Sequence, residues 1–174
     1  GLDASRSAVG YRSNRVSNPD IDGTVRDLMI GDFVNWGAEA RYLKRYSLND
    51  NNNAFLIGAK YYQAKNSSIQ GPGSSGSDAD FDLAIDEFPL YANQSEYEYP
   101  NLNLALFGEN IFRFGQNFSI TPGFRFEYIK TQADGYYRKI NTDLAGNVIL
   151  DETIDEDVVK ERSFALFGVG LSYK

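Results

Sequence analysis

Several residue types that carry chemistry in other proteins are missing from this sequence. The chain of 174 residues has no cysteine and no histidine. The absence of cysteine excludes a disulfide framework and a thiolate metal site. The absence of histidine removes the commonest metal ligand and the commonest general base. The sequence also has no glycine-rich phosphate loop and no G-x-S-x-G nucleophile motif. We therefore expect no enzyme activity and no cofactor.

Long apolar runs and excess positive charge are also missing. No apolar run reaches 18 residues, so the sequence offers no transmembrane helix. The 24 acidic and 17 basic residues give a net charge of -7, which argues against a nucleic-acid partner. The first residues do not form a signal peptide. We expect that a leader has been removed or that the chain is an internal fragment.

The most informative pattern that is present is an alternation of period two, which is typical of strands with two different faces. It predicts five strands, at residues 30–46, 54–65, 101–114, 118–131 and 162–174, and a weaker sixth at 8–15. In the clearest strand, Phe124 and Phe126 alternate with Arg125 and Glu127. The chain is therefore predicted to be an all-β protein with an antiparallel sheet.

The connections between these strands differ in length. Short turns are predicted at Ser47–Asn53 and Gly115–Asn117, and long loops at 66–99 and 131–161. Short turns that alternate with long loops are typical of bacterial outer-membrane barrels, whose long loops are extracellular. A hairpin centred on the asparagine-rich turn places Arg41 opposite Lys60. Pro122 with Gly123 predicts a bulge or a kink in its strand.

A water-soluble β-sandwich or a lipocalin-like barrel is the alternative fold. Three features favour a transmembrane barrel: an apolar face long enough for a band of ~25 Å, an opposite face that mixes small, polar and charged residues, and aromatics at strand ends. Five or six strands cannot close such a barrel, which needs about eight. We therefore expect residues 1–174 to be part of one barrel domain in a larger chain or assembly.

Four runs of residues resemble the barrel of TonB-dependent outer-membrane receptors of the ferric-dicitrate type. They are Pro100–Phe112, Phe118–Ile129, Asp143–Asn147 and Gly168–Lys174. The resemblance implies a 22-stranded barrel in the bacterial outer membrane, a plug domain inside it, and energy from the TonB system. It also implies uptake of a ferric-siderophore-like complex. No plug, TonB box or aromatic terminal strand is visible in these residues.

The candidate ligand-binding residues lie on the predicted polar faces. They are Arg41, Arg45, Lys60 and Arg125. Such cations attract an anionic ferric chelate through charge-assisted hydrogen bonds. The alternative is that they pair with carboxylates on neighbouring strands, namely Glu39, Glu109 and Glu127.

The acidic segments carry a second, weaker hypothesis. The spacing of Asp78, Asp80 and Asp82 suggests a calcium site, although the glycine and distal glutamate of an EF-hand loop are missing. A solvated surface loop is the favoured interpretation. In the second acidic segment, Val148–Leu150 and Val158–Val159 suggest a small hairpin.

Two functions follow from these observations. The first is TonB-dependent uptake, with a ferric chelate, the TonB system and outer-membrane lipid as partners and no nucleic acid. The alternative is an outer-membrane binding or adhesion barrel whose long acidic loops contact a partner without transport.

Overall fold

The computed structural model describes residues 2–11, for their backbone alone, and residues 25–73 and 82–174. They form six strands: β1 (Leu2–Tyr11), β2 (Arg26–Leu48), β3 (Asn51–Gly73), β4 (Ser95–Phe114), β5 (Phe118–Thr142) and β6 (Val148–Tyr173). Each strand pairs antiparallel with the next, in one sheet of order β1-β2-β3-β4-β5-β6. The all-β, antiparallel prediction is confirmed. Within the described ranges no helix is long and apolar enough to cross a membrane.

The last hairpin is much longer than the alternation predicts. The predicted loop at 131–161 is wrong, because β5 and β6 stay paired from Phe118 and Tyr173 to the turn Asp143–Asn147. The small hairpin is wrong as well, since Val158 pairs with Ala133 on β5. Both faces of this extension carry polar side chains, so its sequence lacks the alternation that marks a half-buried strand.

The connection between β3 and β4 is shorter than the predicted loop at 66–99. Residues 66–73 extend β3, and residues 95–99 begin β4. The described part of the connection folds back on the sheet, where the Ala84 N–H donates to the Pro72 carbonyl at 2.8 Å and Leu83 packs on Leu28 and Ile30. The weak sixth strand corresponds to β1, which ends at Tyr11, and residues 12–15 of that prediction lie outside the described residues.

The turn between β2 and β3 contains only Asn49 and Asp50, with φ of 50° and 60°. Positive φ at both central residues is typical of a tight type I′ hairpin. The predicted opposition of Arg41 and Lys60 is therefore wrong by two residues, because Arg41 pairs with Gly58 and Glu39 with Lys60. A shift of two residues keeps every side chain on its predicted face. The predicted turn at Gly115–Asn117 is confirmed.

Asparagine side chains join β3 to β4 beside this turn. The recorded ladder between the two strands ends at the pair Ala54 and Ile111. Beyond it, the Asn53 side-chain carbonyl accepts the Arg113 backbone N–H at 2.8 Å, and Asn51 accepts that of Gly115 at 2.9 Å. The asparagine-rich run therefore continues the strand pairing with side chains.

Pro122 leaves the strand register unchanged. On β5, Ile120 pairs with Phe112 and Gly123 pairs with Glu109, which is the same register on both sides of the proline. A bulge would add a residue to one strand and shift that register. The predicted bulge is therefore wrong, and the one recorded irregularity on the β6 side lies at Asn141 and Thr142.

The register divides the sheet into a polar face, which carries Arg41, and an apolar face, which carries Trp36. Near the two short turns the apolar face is a continuous surface of exposed and half-buried aliphatic and aromatic residues, which we call the apolar belt. Its members are Trp36, Ala38, Ala40, Tyr42, Tyr46, Phe55, Ile57, Ala59, Tyr61, Leu102, Leu104, Leu106, Phe112, Phe124, Phe126, Tyr128, Phe167, Val169 and Leu171.

Candidate functional site

The four candidate cations lie on one face of the sheet. Arg41 and Arg45 alternate with the belt residues of β2, and Lys60 and Arg125 lie on the same side of β3 and β5. A single row across the sheet contains Arg41, Gly58, Phe107, Arg125 and Leu166. The prediction that all four cations share one polar face is therefore confirmed. The alternation of residues did not predict which neighbours they contact.

Phe107 is the centre of this row. The guanidinium carbon of Arg41 lies 5.8 Å from the centroid of its ring, and that of Arg125 lies 5.5 Å from it. These distances are in the range of cation–π contacts. Gly58 makes the arrangement sterically possible, because a Cβ there would approach the ring to 2.5 Å. We call Arg41, Phe107 and Arg125 the arginine–aromatic cluster.

Each arginine of the cluster has a carboxylate partner on its own strand. Arg41 pairs with Glu39, and the Arg125 Nε donates to Glu127 at 2.5 Å. The amide of Asn103 also donates to Glu127, at 3.2 Å. The predicted pairing with Glu39 and Glu127 is therefore found, but along a strand and not across strands, and Glu109 forms no ion pair among the described residues.

The other two candidate cations have no carboxylate partner in the described part of the chain. Lys60 lies 6.0 Å from the centroid of the Tyr62 ring, and Arg45 is exposed. At the level of the belt, the polar face has twice as many basic as acidic residues. The basic ones are Arg41, Arg45, Lys60, Arg113, Arg125 and Arg162, and the acidic ones are Glu39, Glu109 and Glu127.

This arrangement suits an anionic ligand of low hydration. A guanidinium has five N–H donors, so an arginine held by one carboxylate through its Nε keeps donors for a second anion. A surface depression of about 480 Å³ lies beside Arg41, Phe107 and Arg125. Sequence reasoning did not select Phe107. The available indication was an aromatic residue two positions from Glu109 on the predicted polar face of its strand.

Away from the belt, the polar face carries an aromatic and acidic pair. The Tyr97 hydroxyl donates to Glu156 at 2.7 Å across Gly135, and the rings of Tyr97 and Tyr99 stack at 5.9 Å. Burial of the hydroxyl and this hydrogen bond raise the pKa of Tyr97 to about 12. The phenol therefore stays neutral over the physiological range.

Beyond the belt, residues 131–161 continue the β5–β6 ladder, and we call this part the projecting hairpin. On its apolar side, Arg138 contacts both β6 and the described part of the β3–β4 connection. It donates to the Asp151 carboxylate at 2.8 and 2.7 Å and to the Pro89 carbonyl at 2.5 Å. The hydrogen bonds from Arg138 lower the pKa of Asp151. The pairing lies near the turn of the last hairpin and ties it to this connection, and it offers no free charge to a ligand.

The calcium hypothesis gains no support from the described residues. Asp78 and Asp80 lie outside them, and Asp82 is described and has an interaction partner. Residues 25–73 and 82–174 contain no group of three acidic residues able to hold a metal ion.

Comparison with protein-family models, curated proteins and solved structures finds no match to this chain. The resemblance to TonB-dependent receptors stays a prediction from the sequence motifs.

Proposed function

We propose that this chain forms part of the wall of an outer-membrane β-barrel receptor that takes up an anionic ferric chelate in a TonB-dependent manner. The single observation that carries the proposal is the division of one continuous sheet into an apolar belt and a basic polar face at the same level.

The height of the belt matches a membrane. From Leu102 to Phe112 it extends about 33 Å along β4, at ~3.3 Å per residue. A strand tilt of about 40° reduces this to about 25 Å, the height of the apolar band of membrane barrels. Residues of the belt remain exposed on the inner strands as well, with Leu106 of β4 at 44% and Phe126 of β5 at 45%. Contiguous exposed apolar surface of this kind indicates contact with lipid or with a partner.

The borders of the belt also have the chemistry of a membrane interface. Trp36 and Tyr61 pack at 4.8 Å at one border, and Phe114 and Phe118 pack at 5.9 Å at the other. Aromatic residues of this type favour the headgroup region. Directly beyond the first border, apolar residues give way to ion pairs, which are Lys65 with Glu98 at 2.8 Å and Lys130 with Glu161 at 3.4 Å.

The edges of the sheet require additional strands. β1 and β6 each have a neighbour on one side only among the described strands. In lipid, unpaired backbone groups cost several kcal/mol each, so open sheets do not span membranes. The proposal therefore places β1 and β6 beside further strands of a closed barrel.

The polar face supplies the ligand chemistry of the proposal. The arginine–aromatic cluster faces the lumen at mid-belt, where water is confined and charge interactions are strengthened. Lys60 and Arg45 add cations without carboxylate partners. A ferric chelate with carboxylate groups at its surface fits such donors, because N–H groups of arginine bind carboxylates in pairs.

Uptake of iron from ferric citrate tests the proposal. We expect deletion of the gene to reduce growth on ferric citrate as sole iron source. In the complete receptor, combined substitution of Arg41→Ala and Arg125→Ala is expected to reduce uptake at least about tenfold, since a hydrogen bond to a charged group contributes ~1.5–3 kcal/mol.

Lys130→Ala is the matched control, because Lys130 is a basic residue on the opposite face, paired with Glu161. It should leave uptake unchanged. Normal uptake by the double variant, with normal amounts of receptor in the membrane, would remove the role of the arginine–aromatic cluster. Normal growth of the deletion strain would remove the transport proposal.

The projecting hairpin supports adhesion or partner binding as a second candidate function. The strands of β5 and β6 continue beyond the belt as a paired ladder whose β6 residues include Glu152, Asp155, Glu156 and Asp157. A preformed acidic hairpin presents a rigid surface to a basic partner. Under this function, deletion of the hairpin tip would abolish partner binding and leave iron uptake intact.

A further inference from the structure

One charged side chain interrupts the apolar belt. Among the described residues of the apolar face at belt level, Lys44 is the sole ionisable side chain apart from tyrosine hydroxyls. It is exposed and forms no ion pair with a described residue. If the belt faces lipid, as the proposed function requires, a cation at this place needs an anion from outside the protein, because an unpaired charge in lipid is costly.

A polar group with an unused donor lies in the same row. Lys44 pairs with Phe55, and Phe55 pairs with Asn110, so the lysine and the asparagine flank one phenylalanine. The Tyr46 hydroxyl donates to the Asn110 side-chain carbonyl at 3.0 Å. The Asn110 Nδ2 is buried and has no hydrogen-bond partner. Buried donors are rarely left unpaired, so this amide indicates a missing acceptor.

The position of these residues along the strands specifies the depth of that acceptor. Lys44 lies two residues from Tyr46, which belongs to the aromatic border on the side of the short turns. Two residues correspond to about 7 Å along the strand, or about 5 Å in depth at the usual tilt. A lysine side chain extends over such a distance to place its ammonium group at the headgroup level.

We propose that Lys44, Tyr46 and Asn110 form a binding site for the phosphodiester of an anionic phospholipid in the leaflet next to the short turns. The Lys44 ammonium pairs with the phosphate. Because the Asn110 Nδ2 has almost no exposed surface in this conformation, its side chain turns towards the bilayer to donate to one of the phosphate oxygens or to the adjoining glycerol ester. Tyr46 orients the amide by donating to its carbonyl. The acyl chains lie on neighbouring belt residues such as Tyr42 and Ile57.

Selective lipid retention tests this site. The complete receptor is reconstituted in vesicles of equal phosphatidylglycerol and phosphatidylcholine, extracted in mild detergent, and its retained lipids are counted by native mass spectrometry. We expect phosphatidylglycerol to be retained about fivefold over phosphatidylcholine, the factor that one basic residue contributes at an anionic surface. Lys44→Gln should reduce this ratio to about one, Asn110→Leu should lower it partly, and Lys44→Arg should preserve it.

Lys65→Gln is the control, because Lys65 lies on the same face but is paired with Glu98 beyond the belt. It should keep the wild-type ratio. Equal ratios for the wild type and Lys44→Gln would overturn the lipid site, as would displacement of phosphatidylglycerol by inorganic phosphate. Lipid quenching of Trp36 in the same vesicles reports insertion separately. Without insertion the proposed function fails, whereas insertion without selectivity removes only the lipid site.

Discussion

The two halves of this sheet have the same backbone pairing and very different side chains. In the half next to the short turns, β2 to β6 carry an apolar belt on one face and a basic surface on the other. In the projecting half, β5 and β6 remain paired to the turn Asp143–Asn147, but both of their faces carry polar side chains, and acidic residues outnumber basic ones. The chain has a net charge of -7, yet basic residues predominate on the polar face at belt level.

The difference shows that strand pairing and side-chain alternation have separate causes. Backbone hydrogen bonds and tight turns are sufficient to continue a ladder beyond the belt. At the end of the last hairpin, the Asp143 carboxylate accepts the backbone N–H groups of Ala145 and Asn147 at 2.9 and 2.8 Å. Alternation arises only where the two faces meet different surroundings. The two halves should therefore respond differently to the same kind of substitution.

The largest effect is expected from placing a charge on the apolar belt. Leu106 of β4 and Val159 of β6 lie on the same face and are similarly exposed, at 44% and 46%. Leu106→Arg should destabilise the protein in lipid vesicles by about 2–4 kcal/mol, the cost of arginine near the bilayer midplane. Val159→Arg should change the free energy of unfolding by less than about 0.5 kcal/mol. Urea unfolding of the reconstituted protein measures both, and equal costs would mean that the belt does not face lipid.

A smaller effect is expected at the glycine beneath the arginine–aromatic cluster. A Cβ at Gly58 would approach the Phe107 ring to 2.5 Å and the Ala40 carbonyl oxygen to 3.0 Å, whereas one at Gly168 meets nothing within 4 Å. Gly58→Ala should cost about 1–2 kcal/mol through overpacking and displace the ring from its two arginines. Gly168→Ala on the same face should be neutral. Comparable unfolding midpoints for the two variants would show that Phe107 does not need the space above Gly58.

The smallest effect concerns the projecting half and develops only at alkaline pH, where Tyr97 ionises. The pKa of Tyr97 is raised to about 12 by burial and by the hydrogen bond to Glu156, against about 10 in an unfolded chain. Because the folded state favours the neutral phenol, the contact of Tyr97 contributes its full stabilisation below pH 10. This stabilisation is lost as the pH rises towards 12.

The phenolate absorbance of Tyr97, taken as the difference between wild type and Tyr97→Phe, should therefore develop near pH 12. Glu156→Gln removes the negative charge and should move this titration towards pH 10. An unchanged titration in that variant would contradict the contact between Tyr97 and Glu156. Measurements on the Leu106→Arg variant should give the wild-type value, since the belt and the projecting half are distant along the strands.

The parts of the fold that depend on alternation could be predicted from the sequence. The register keeps Arg41, Arg45, Lys60 and Arg125 on one face, as predicted, because errors of two residues do not exchange faces. The extension of β5 and β6 could not be predicted, since it has no apolar face. The two-residue turn at Asn49 and Asp50 was also missed, because the following asparagines are equally common in turns and here replace ladder bonds.

The site was partly predictable for a related reason. Charge and alternation identified the cations, but the ion pairs of Arg41 with Glu39 and of Arg125 with Glu127 depend on side-chain conformation along a strand. The role of Phe107 depends on the glycine opposite it, and this opposition becomes visible only once the register between β3 and β4 is known.

Trp36 provides the most direct test that the apolar belt contacts lipid. It is the single tryptophan of the chain, and it lies at 45% exposure on the belt. In vesicles with brominated acyl chains, the emission of Trp36 should be strongly quenched, whereas aqueous iodide should have little effect. With Trp36→Phe and Leu43→Trp combined, the tryptophan lies on the polar face seven residues further along β2, still within the span of the belt, and lipid quenching should fall sharply. Emission of Trp36 that is quenched by iodide and unaffected by brominated lipid would contradict the account.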